Sequence, residues 1–450
     1  MPTRTPLFND FSSYLKLFRL ALPIILANAS VPLLGLVDTA VIGQMGQTAD
    51  LAAIALASLI FSFVYWAFSF LRIGTTGFIS QAVGANNDDE LLTVVFRTLM
   101  LGTVIGLALI ILQQPIRSIA SYFLSASPEV NALVKDYFII RIWGAPATLI
   151  TFALMGIFIG LGWTKQILVI QLLLNGLNML LNVFFVVFLA MGVKGIALGT
   201  LIAEWVTLGY GLLLIIKKLD ILPLRSHYQR LSAQIFDSTK IKALFLVNSD
   251  IMIRTLALLA GFGWFARQGA SFGDATLAAN HILLQFISMA TYFLDGFANV
   301  TEMQVGQAYG AKKRQRFLRA VIDNSVIAAF SSLLLALLLL FCGQFFIQAL
   351  TPDAELQSIA NQHKVFAASY IFIAFATFQL DGIFVGVTDS KAMRNSTVIA
   401  FLSMLLSGYL LIGPLANNGL WLALIIFVIV RGLVLLRYYP RIVNQTKWQD

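Results

Sequence analysis

Long apolar stretches separated by short polar segments run through the whole chain. Stretches 98–116, 167–191 and 325–343 contain no charged residue, and each is long enough to cross the roughly 30 Å hydrocarbon core of a bilayer as a helix. They lack the strict alternation that is typical of strands in a membrane barrel. The pattern therefore predicts an all-α polytopic membrane protein with twelve transmembrane helices. The predicted helices are 20–43, 51–80, 93–113, 134–161, 166–190, 193–217, 243–266, 275–305, 318–341, 361–387, 396–416 and 419–439.

Composition supports this prediction and excludes several other classes. Hydrophobic residues make up 59% of the 450 residues and charged residues 11%, whereas soluble proteins carry about 25% charged residues. A soluble bundle could not hide apolar residues on every helix face. A single cysteine, Cys342, and three histidines leave no basis for a disulfide framework or a histidine metal site. We expect neither a metal nor a cofactor.

The basic residues are distributed unevenly over the loops. When successive loops are assigned to opposite sides of the membrane, one side receives Lys165, the segment 217–242, the cluster 312–319 and the basic residues near both termini. Positive charge is retained on the cytoplasmic side. Both termini are therefore predicted to be cytoplasmic, with an even number of helices between them. The same placement accounts for the net charge of +9 without nucleic acid as a partner.

Two halves of the chain repeat each other at a constant offset of 226 positions. Leu51-Ala52-Ala53 recurs as Leu277-Ala278-Ala279, and the stretch 81–85 (QAVGA) recurs as 307–311 (QAYGA). Internal repeats of this kind are typical of secondary transporters. We predict two pseudo-symmetric six-helix lobes related by an axis along the membrane normal. The predicted parts are an N-lobe at 1–216, a basic cytoplasmic linker at 217–242 and a C-lobe at 243–450.

An acidic residue in the first apolar stretch is the main candidate for chemistry. Asp38 lies in the outer half of helix 1 with no basic residue within one turn. Loss of hydration favours the neutral form of such a carboxyl group, which could then bind and release a proton near neutral pH. Pro23 and Pro32 in the same helix each remove a backbone hydrogen bond and allow a bend. Asp38 is therefore a candidate proton-coupling site; the alternative is a structural aspartate bonded to neighbouring helices.

Polar amides recur along one face of helix 5. Asn175, Asn178 and Asn182 follow Gln171 at steps of four, three and four, so they form one stripe. A polar stripe on a membrane helix faces protein or water rather than lipid. The stripe either holds neighbouring helices together or lines a polar cavity that could bind substrate.

Further ionisable residues lie within the apolar stretches, where they are costly and usually functional. Asp295 and Asp381 are secondary candidates in the C-lobe. Asp250 and Arg254, four residues apart on helix 7, are predicted to form an ion pair. Trp264 stands at the position that repeats Asp38, so we expect the lobes to share a scaffold but not a proton site. The other residues of this kind are Arg72, Arg141, Glu204, Glu302 and Arg431.

Five motifs distributed over the chain are specific in combination. They are 31–43 in helix 1 (VPLLGLVDTAVIG), 195–204 in helix 6 (GIALGTLIAE), 294–298 in helix 8 (LDGFA), 306–311 after it (GQAYGA) and 380–386 in helix 10 (LDGIFVG). Together they resemble the multidrug and toxic compound extrusion (MATE) transporters, in particular their DinF branch, over essentially the whole chain. The resemblance implies two six-helix lobes and efflux of organic cations or amphiphilic drugs in exchange for protons or sodium.

The same resemblance implies roles for individual residues. Asp38 looks like the protonation site of DinF-like members, and Pro23 looks like the proline at which helix 1 bends. Tyr137 on helix 4, Asn178 on helix 5 and Thr200 on helix 6 look like the polar network of the N-lobe.

One position departs from the family pattern. Many relatives have a second aspartate on helix 5 where this chain has Asn182, and an amide cannot titrate. Asp38 should therefore carry the coupling more nearly alone. The sequence contains no nucleotide-binding motif, which favours an ion gradient over ATP as the energy source. Together with Asp38, the family resemblance implies a proton-coupled multidrug antiporter, not an enzyme, that acts as a monomer in the bacterial inner membrane. The alternatives are sodium-coupled efflux and a flippase for lipid-linked precursors, which would require a more cationic cleft.

Overall fold

Helices make up nearly all of the described chain. The computed structural model describes residues 11–45, 48–123, 127–219, 231–445 and 447–449, with the side chains at 11, 33, 36–40, 42–45, 48, 120–123 and 445 outside the description. These residues include twelve helices that are long and apolar enough to cross a membrane, and no strand occurs among them. The predicted all-α, twelve-span fold class is confirmed. We refer to these helices as spans 1 to 12 in chain order.

The first six spans contain several irregular turns. Span 2 is broken at Phe68 and Ser69, span 4 contains a 3-10 turn at Ile142–Gly144, and span 5 continues into a π-helical turn at Phe184–Phe188. A further helix, Gln113–Phe123, lies between spans 3 and 4 and was not predicted, because it is short and half polar. The helices of the six spans are Phe11–Met45, Thr48–Ala67 with Phe70–Gly84, Asp88–Ile111, Pro128–Arg141 with Ala145–Leu161, Thr164–Val183 and Gly192–Lys218.

The last six spans are single helices, several of them longer than the apolar runs that predicted them. Their polar ends continue the helix beyond the apolar stretch. Asp353, for example, accepts hydrogen bonds from the N–H groups of Glu355 and Leu356 and so starts span 10 well before its first apolar run. The six helices are Ser238–Ala270, Asp274–Gly310, Arg314–Leu350, Ala354–Gly386, Ser390–Leu415 and Asn417–Gln445.

The backbone repeats the offset of 226 positions seen in the sequence. Backbone conformations with positive φ, which residues other than glycine rarely adopt, recur in three pairs at this spacing. The φ angles are 51° at Asn86 and 55° at Lys312, 74° at Gly162 and 60° at Thr388, and 51° at Ala190 and 48° at Ala416. The same turns therefore end the same helices in both halves, as the predicted repeat requires.

Close backbone approaches repeat in the same way. A Cβ atom on Gly84 would lie 2.0 Å from the carbonyl oxygen of Gln307, and a Cβ atom on Gly310 would lie 2.1 Å from that of Gln81. The two contacts are images of each other under the offset. Only glycine permits them, because no real Cβ comes so close to a carbonyl oxygen.

The described residues divide into two compact units. One consists of Leu26–Ile79 and Asn87–Phe245, and the other of Met1–Ile25, Ser80–Asn86 and Leu246–Asp450. In the second unit, Phe265, Trp421 and Phe427 lie in a buried apolar core. Residues 220–230 of the predicted linker lie outside the described residues.

The segments that follow spans 6 and 12 pack on the spans through different interactions, hydrogen bonds from an arginine in the first case and an aromatic contact in the second. Arg97 of span 3 is buried, and its Nε donates to the carbonyl oxygen of Ile235 at 3.0 Å while Nη2 donates to that of Gln234. The guanidinium thereby caps the short helical segment 231–235. After span 12, Trp448 packs on Phe317 with ring centroids 5.2 Å apart, and the N–H of Gln449 donates to Lys312.

Candidate functional site: buried polar clusters within the spans

The amide stripe of span 5 is buried inside its unit. Asn175, Asn178 and Asn182 are 3%, 1% and 0% exposed. Asn175 Nδ2 donates to Ser30 Oγ of span 1 at 2.8 Å and its Oδ1 accepts from Gln171 at 3.1 Å. Asn182 Nδ2 donates to Asn178 Oδ1 at 2.6 Å. The predicted stripe exists as two hydrogen-bonded pairs, Gln171 with Asn175 and Asn178 with Asn182, and at Asn175 it connects span 5 to span 1.

The end of the stripe at Asn182 lies against span 6. A Cβ atom on Gly199 would come within 2.2 Å of Asn182 Oδ1, so the amide occupies the space that the absent side chain leaves. Thr200, the next residue, donates its hydroxyl hydrogen bond to the carbonyl oxygen of Ile196 in its own helix at 2.9 Å. The structure therefore places Thr200 in the same region as Asn182.

The ring of Tyr137 lies in an aromatic cluster with span 2. Tyr137 is 5% exposed, and its ring centroid is 6.1 Å from that of Phe61. Phe61 also packs on Tyr65, with centroids 5.6 Å apart. Of the predicted polar network, the structure thus joins Asn178 to Asn182 directly and places Tyr137 beside Phe61.

Span 1 carries the predicted proton site and the two predicted hinge prolines. Pro23 and Pro32 both lie within the helix Phe11–Met45, and each is partly buried. Ser30, the partner of Asn175, lies between them. The side chain of Asp38 falls in the same helix but outside the described residues.

An ion pair that was not predicted lies one helical turn from Tyr137 and Thr200. Arg141 of span 4 donates from Nη1 to Glu204 Oε2 at 2.6 Å and from Nη2 to Oε1 at 2.5 Å. Thr148 adds a hydrogen bond to Oε1 at 2.7 Å. Both charged residues are buried, at 7% and 6% exposure. Both residues were predicted to lie within apolar stretches, and their similar depth in spans 4 and 6 was the signal that could have paired them.

The C-terminal unit contains a denser charge cluster. Asp381 Oδ2 of span 10 accepts from Arg254 Nη2 of span 7 at 2.7 Å and also from Arg431 Nη2 of span 12. All three residues are less than 10% exposed. Asp295 of span 8, which is partly exposed, interacts electrostatically with both arginines. The two secondary candidates, Asp295 and Asp381, therefore belong to one cluster.

The predicted Asp250–Arg254 ion pair is wrong. Asp250 instead accepts from Arg394 Nη1 at 2.6 Å and from Ser390 Oγ at 2.8 Å. Residues at positions i and i+4 share a helix face, which is why the pair was predicted. In the structure, that face packs against other helices, whose side chains bond Asp250 and Arg254 instead. Arg254 is consequently available for Asp381.

These observations define a class of protein. Twelve spans in two repeated halves, with polar and charged clusters buried inside the spans, are the arrangement of a secondary membrane transporter. No group of three or more His, Cys, Asp or Glu side chains able to hold a metal ion occurs in the described part of the chain.

Comparison with known proteins gives the family. The MatE family model matches residues 23–184 and 268–410, and the chain belongs to the MatE family. The DNA damage-inducible protein F of Escherichia coli (strain K12) is 35% identical over 97% of this chain and 94% of its own length. The probable multidrug resistance protein NorM of Acinetobacter baylyi is 25% identical over 94% and 95% of the two chains. These matches confirm the predicted MATE membership and DinF branch.

A solved structure supports the fold independently. It is described as the outward-facing conformation of a multidrug resistance MATE family transporter of the MOP superfamily. It matches with a TM-score of 0.84 at 19% identity and covers 97% of each chain. The protein is therefore a multi-pass membrane protein whose homologues are transporters of the multidrug efflux type, not enzymes.

Proposed function

We propose that this protein exports lipophilic, often cationic compounds from bacteria in exchange for protons. Its relative NorM carries the description of a multidrug resistance protein, which supports the substrate class. The proposed setting is the inner membrane, with both termini in the cytoplasm and a monomer as the working unit. The observation that carries the proposal is the buried amide stripe of span 5, which binds span 1 between its two prolines.

Asp38 is the proposed proton acceptor, and the repeat supports its placement near the amides. In the C-terminal half, the counterparts of Asp38 and Asn182 are Trp264 and Gly408. A Cβ atom on Gly408 would lie 2.2 Å from Trp264 Cη2, so these two positions are in contact. The repeat thus relates position 38 to position 182, and an amide such as that of Asn182 can bond either protonation state of a carboxyl group.

Protonation can change the shape of span 1 because that helix is weakened at two points. Pro23 and Pro32 each lack an N–H group for the helical ladder. Ser30 lies between them and is bound to Asn175 at 2.8 Å. A proton arriving at Asp38 from outside removes a charge, and the bent form of span 1 then becomes lower in free energy. In the proposed cycle, bending closes the drug site of the N-terminal half and expels the drug.

The arginine partners of Asp381, a buried carboxylate in the C-terminal half, favour protons over sodium as the coupling ion. Sodium would need carboxylate oxygens that are not already neutralised. Asp381 receives two guanidinium groups on one oxygen. That arrangement disfavours a metal cation at this position.

A flippase for phosphate-bearing lipids is less well supported. Such a substrate requires arginines free to bind phosphate oxygens. The arginines of the two buried charge clusters, Arg141, Arg254 and Arg431, are each bonded to a carboxylate.

The test is Asp38→Asn in reconstituted vesicles. Ethidium addition to the wild-type protein should release protons, with the same amplitude whether or not a sodium gradient is present. Asp38→Asn should abolish both proton release and ethidium transport, because an amide cannot exchange a proton. Asp50→Asn, at the partly buried start of the next helix, is the matched control and should retain both. Survival of drug-driven proton release in Asp38→Asn would refute the mechanism.

A further inference from the structure

The Arg141–Glu204 ion pair lies close in sequence to two residues of the predicted substrate site, Tyr137 and Thr200. Tyr137 and Arg141 are four residues apart on span 4, and Thr200 and Glu204 are four residues apart on span 6. Residues at this spacing lie on one helix face, about 6 Å apart along the axis. The pair therefore bridges the two helices one turn from the positions that carry Tyr137 and Thr200.

We propose that the Arg141–Glu204 pair is a positioning device that fixes span 4 against span 6 and so holds Tyr137 and Thr200 in register for substrate binding. The inference rests on the proposed efflux function. It concerns two residues that do not themselves touch substrate.

The geometry of the pair restricts sliding of one helix along the other. Two parallel hydrogen bonds of 2.6 and 2.5 Å join the fork of the guanidinium to both carboxylate oxygens. A bidentate pair of this kind fixes direction as well as distance. Thr148, also on span 4, bonds the same carboxylate at 2.7 Å. A displacement by one helix turn would break all three bonds at once.

Aromatic rings link the ion pair to Tyr137. The Arg141 guanidinium lies 5.3 Å from the centroid of the Phe61 ring and 5.4 Å from that of Tyr65. Phe61 also packs on Tyr137, with centroids 6.1 Å apart. One side chain of span 2 thus touches both Arg141 and Tyr137, so movement of the guanidinium is transmitted to the tyrosine through a packed contact.

A glycine beside the pair leaves room for the Glu204 carboxylate. Gly144 ends the 3-10 turn that interrupts span 4. A Cβ atom there would lie 2.2 Å from Glu204 Oε2 and 2.7 Å from Arg141 Nη1. The carboxylate therefore occupies the space above a glycine.

Stability alone is a poor explanation for such a pair. Burying two charges costs hydration, and apolar residues of similar volume often stabilise a protein equally well or better. In the proposed role, the pair instead specifies one arrangement of the two helices among several apolar alternatives.

The chain offers a matched control. Asp136 and Lys194 form a second ion pair between the same two spans, 3.2 Å apart, with side chains 40% and 57% exposed. Neutralising this exposed pair with Asp136→Asn removes a charge contact between spans 4 and 6 without reaching the buried cluster.

The experiment compares ethidium transport kinetics in vesicles. Removing one partner alone leaves a buried charge, so the main variant is the apolar double replacement Arg141→Met with Glu204→Leu, and a thermal melt verifies that it folds. We expect the ethidium KM to rise about tenfold, within the range that a small misplacement of a binding group costs, while kcat changes little. Asp136→Asn should match the wild-type protein in both constants.

A further combination separates positioning from a general loss of structure. If the pair acts through Tyr137, adding Tyr137→Phe to the double replacement should raise KM no further, although Tyr137→Phe alone does so in the wild-type background. A folded double replacement with wild-type KM, or full additivity with Tyr137→Phe, would overturn the inference. If the wild-type protein fails to release protons on ethidium addition, the proposed function fails instead, and the two outcomes are thus distinguishable.

Discussion

The N-terminal and C-terminal halves repeat one backbone plan but bury different chemistry in it. The left-handed turns and close glycine contacts recur at 226 positions. The N-terminal half places hydrogen-bonded pairs of amides and the balanced Arg141–Glu204 ion pair in its interior. The C-terminal half instead places two arginines on one aspartate and a tryptophan over a glycine. The turns and glycine contacts are therefore what duplication conserved, and the buried polar side chains are where the halves diverged.

This difference explains why the proposed proton site lies in one half only. An amide has no charge of its own and can adjust to a neighbouring carboxyl group that gains or loses a proton. In the C-terminal half, two guanidiniums hold Asp381 by strong charge-assisted bonds. The charge of Asp381 is therefore already balanced by neighbouring side chains.

The largest expected effect comes from breaking the C-terminal cluster. Asp381→Asn leaves Arg254 and Arg431 buried without their shared carboxylate, and we expect a loss of about 3–5 kcal/mol in the free energy of unfolding. Arg431→Met should cost clearly less, because Arg254 still pairs with Asp381 at 2.7 Å. Thermal melts in detergent measure both. Equal losses would show that the cluster is not organised around Asp381.

A second prediction tests the repeat itself. Gly84→Ala and Gly310→Ala each push a Cβ atom into a backbone carbonyl at 2.0 and 2.1 Å. Backbone cannot yield easily, so each should destabilise the protein by about 1–3 kcal/mol or more, and by similar amounts. Gly209→Ala is the control, since its Cβ would meet nothing within 4 Å and alanine is the better helix former. Unequal losses at the two repeat positions would mean that the contacts are not equivalent.

A smaller effect is expected in the amide half. Asn175→Ala removes the hydrogen bonds to Ser30 and Gln171, and we expect a loss of about 1 kcal/mol. Ser30 still donates to the carbonyl oxygen of Ala27 at 2.7 Å, which limits the cost. A stability change as large as that of Asp381→Asn would contradict the distinction between the two halves.

Local patterns predicted the fold better than they predicted the ion pairs. The twelve spans follow from apolar length, and the amide stripe follows from its spacing, because both are properties of a single helix. The partners of Asp381 lie 127 and 50 residues away in sequence, and helix packing decides between them. The expected Asp250–Arg254 pair was wrong for the same reason: both residues found closer partners on neighbouring helices.

The segments that follow spans 6 and 12 also differ between the two halves. The segment after span 6 is held by Arg97 and by the ion pair of Lys240 with Glu90, whereas the tail after span 12 is held by Trp448 against Phe317. The first segment also contains Asp237, a carboxylate that accepts hydrogen bonds from backbone N–H groups, whereas the aromatic contact of the tail involves no ionisable group. The start of span 7 should therefore be more sensitive to acid than the docking of the tail.

The smallest predicted effect is a pH dependence at this helix start. Asp237 accepts hydrogen bonds from the backbone N–H groups of Lys240 and Thr239, and these bonds lower the pKa of Asp237 below its ordinary value. Because the native pKa is the lower one, the stabilisation is present at neutral pH and is lost as the pH falls through that value. Hydrogen exchange of the Thr239 and Lys240 amides should therefore quicken relative to other helix starts as the solution becomes acidic. Asp237→Ala should show the faster exchange at every pH, and Asp237→Asn, which caps equally well without a charge, should remove the pH dependence. A pH dependence that persists in Asp237→Asn would assign it to another group, and the Lys240–Glu90 pair would be the next to test.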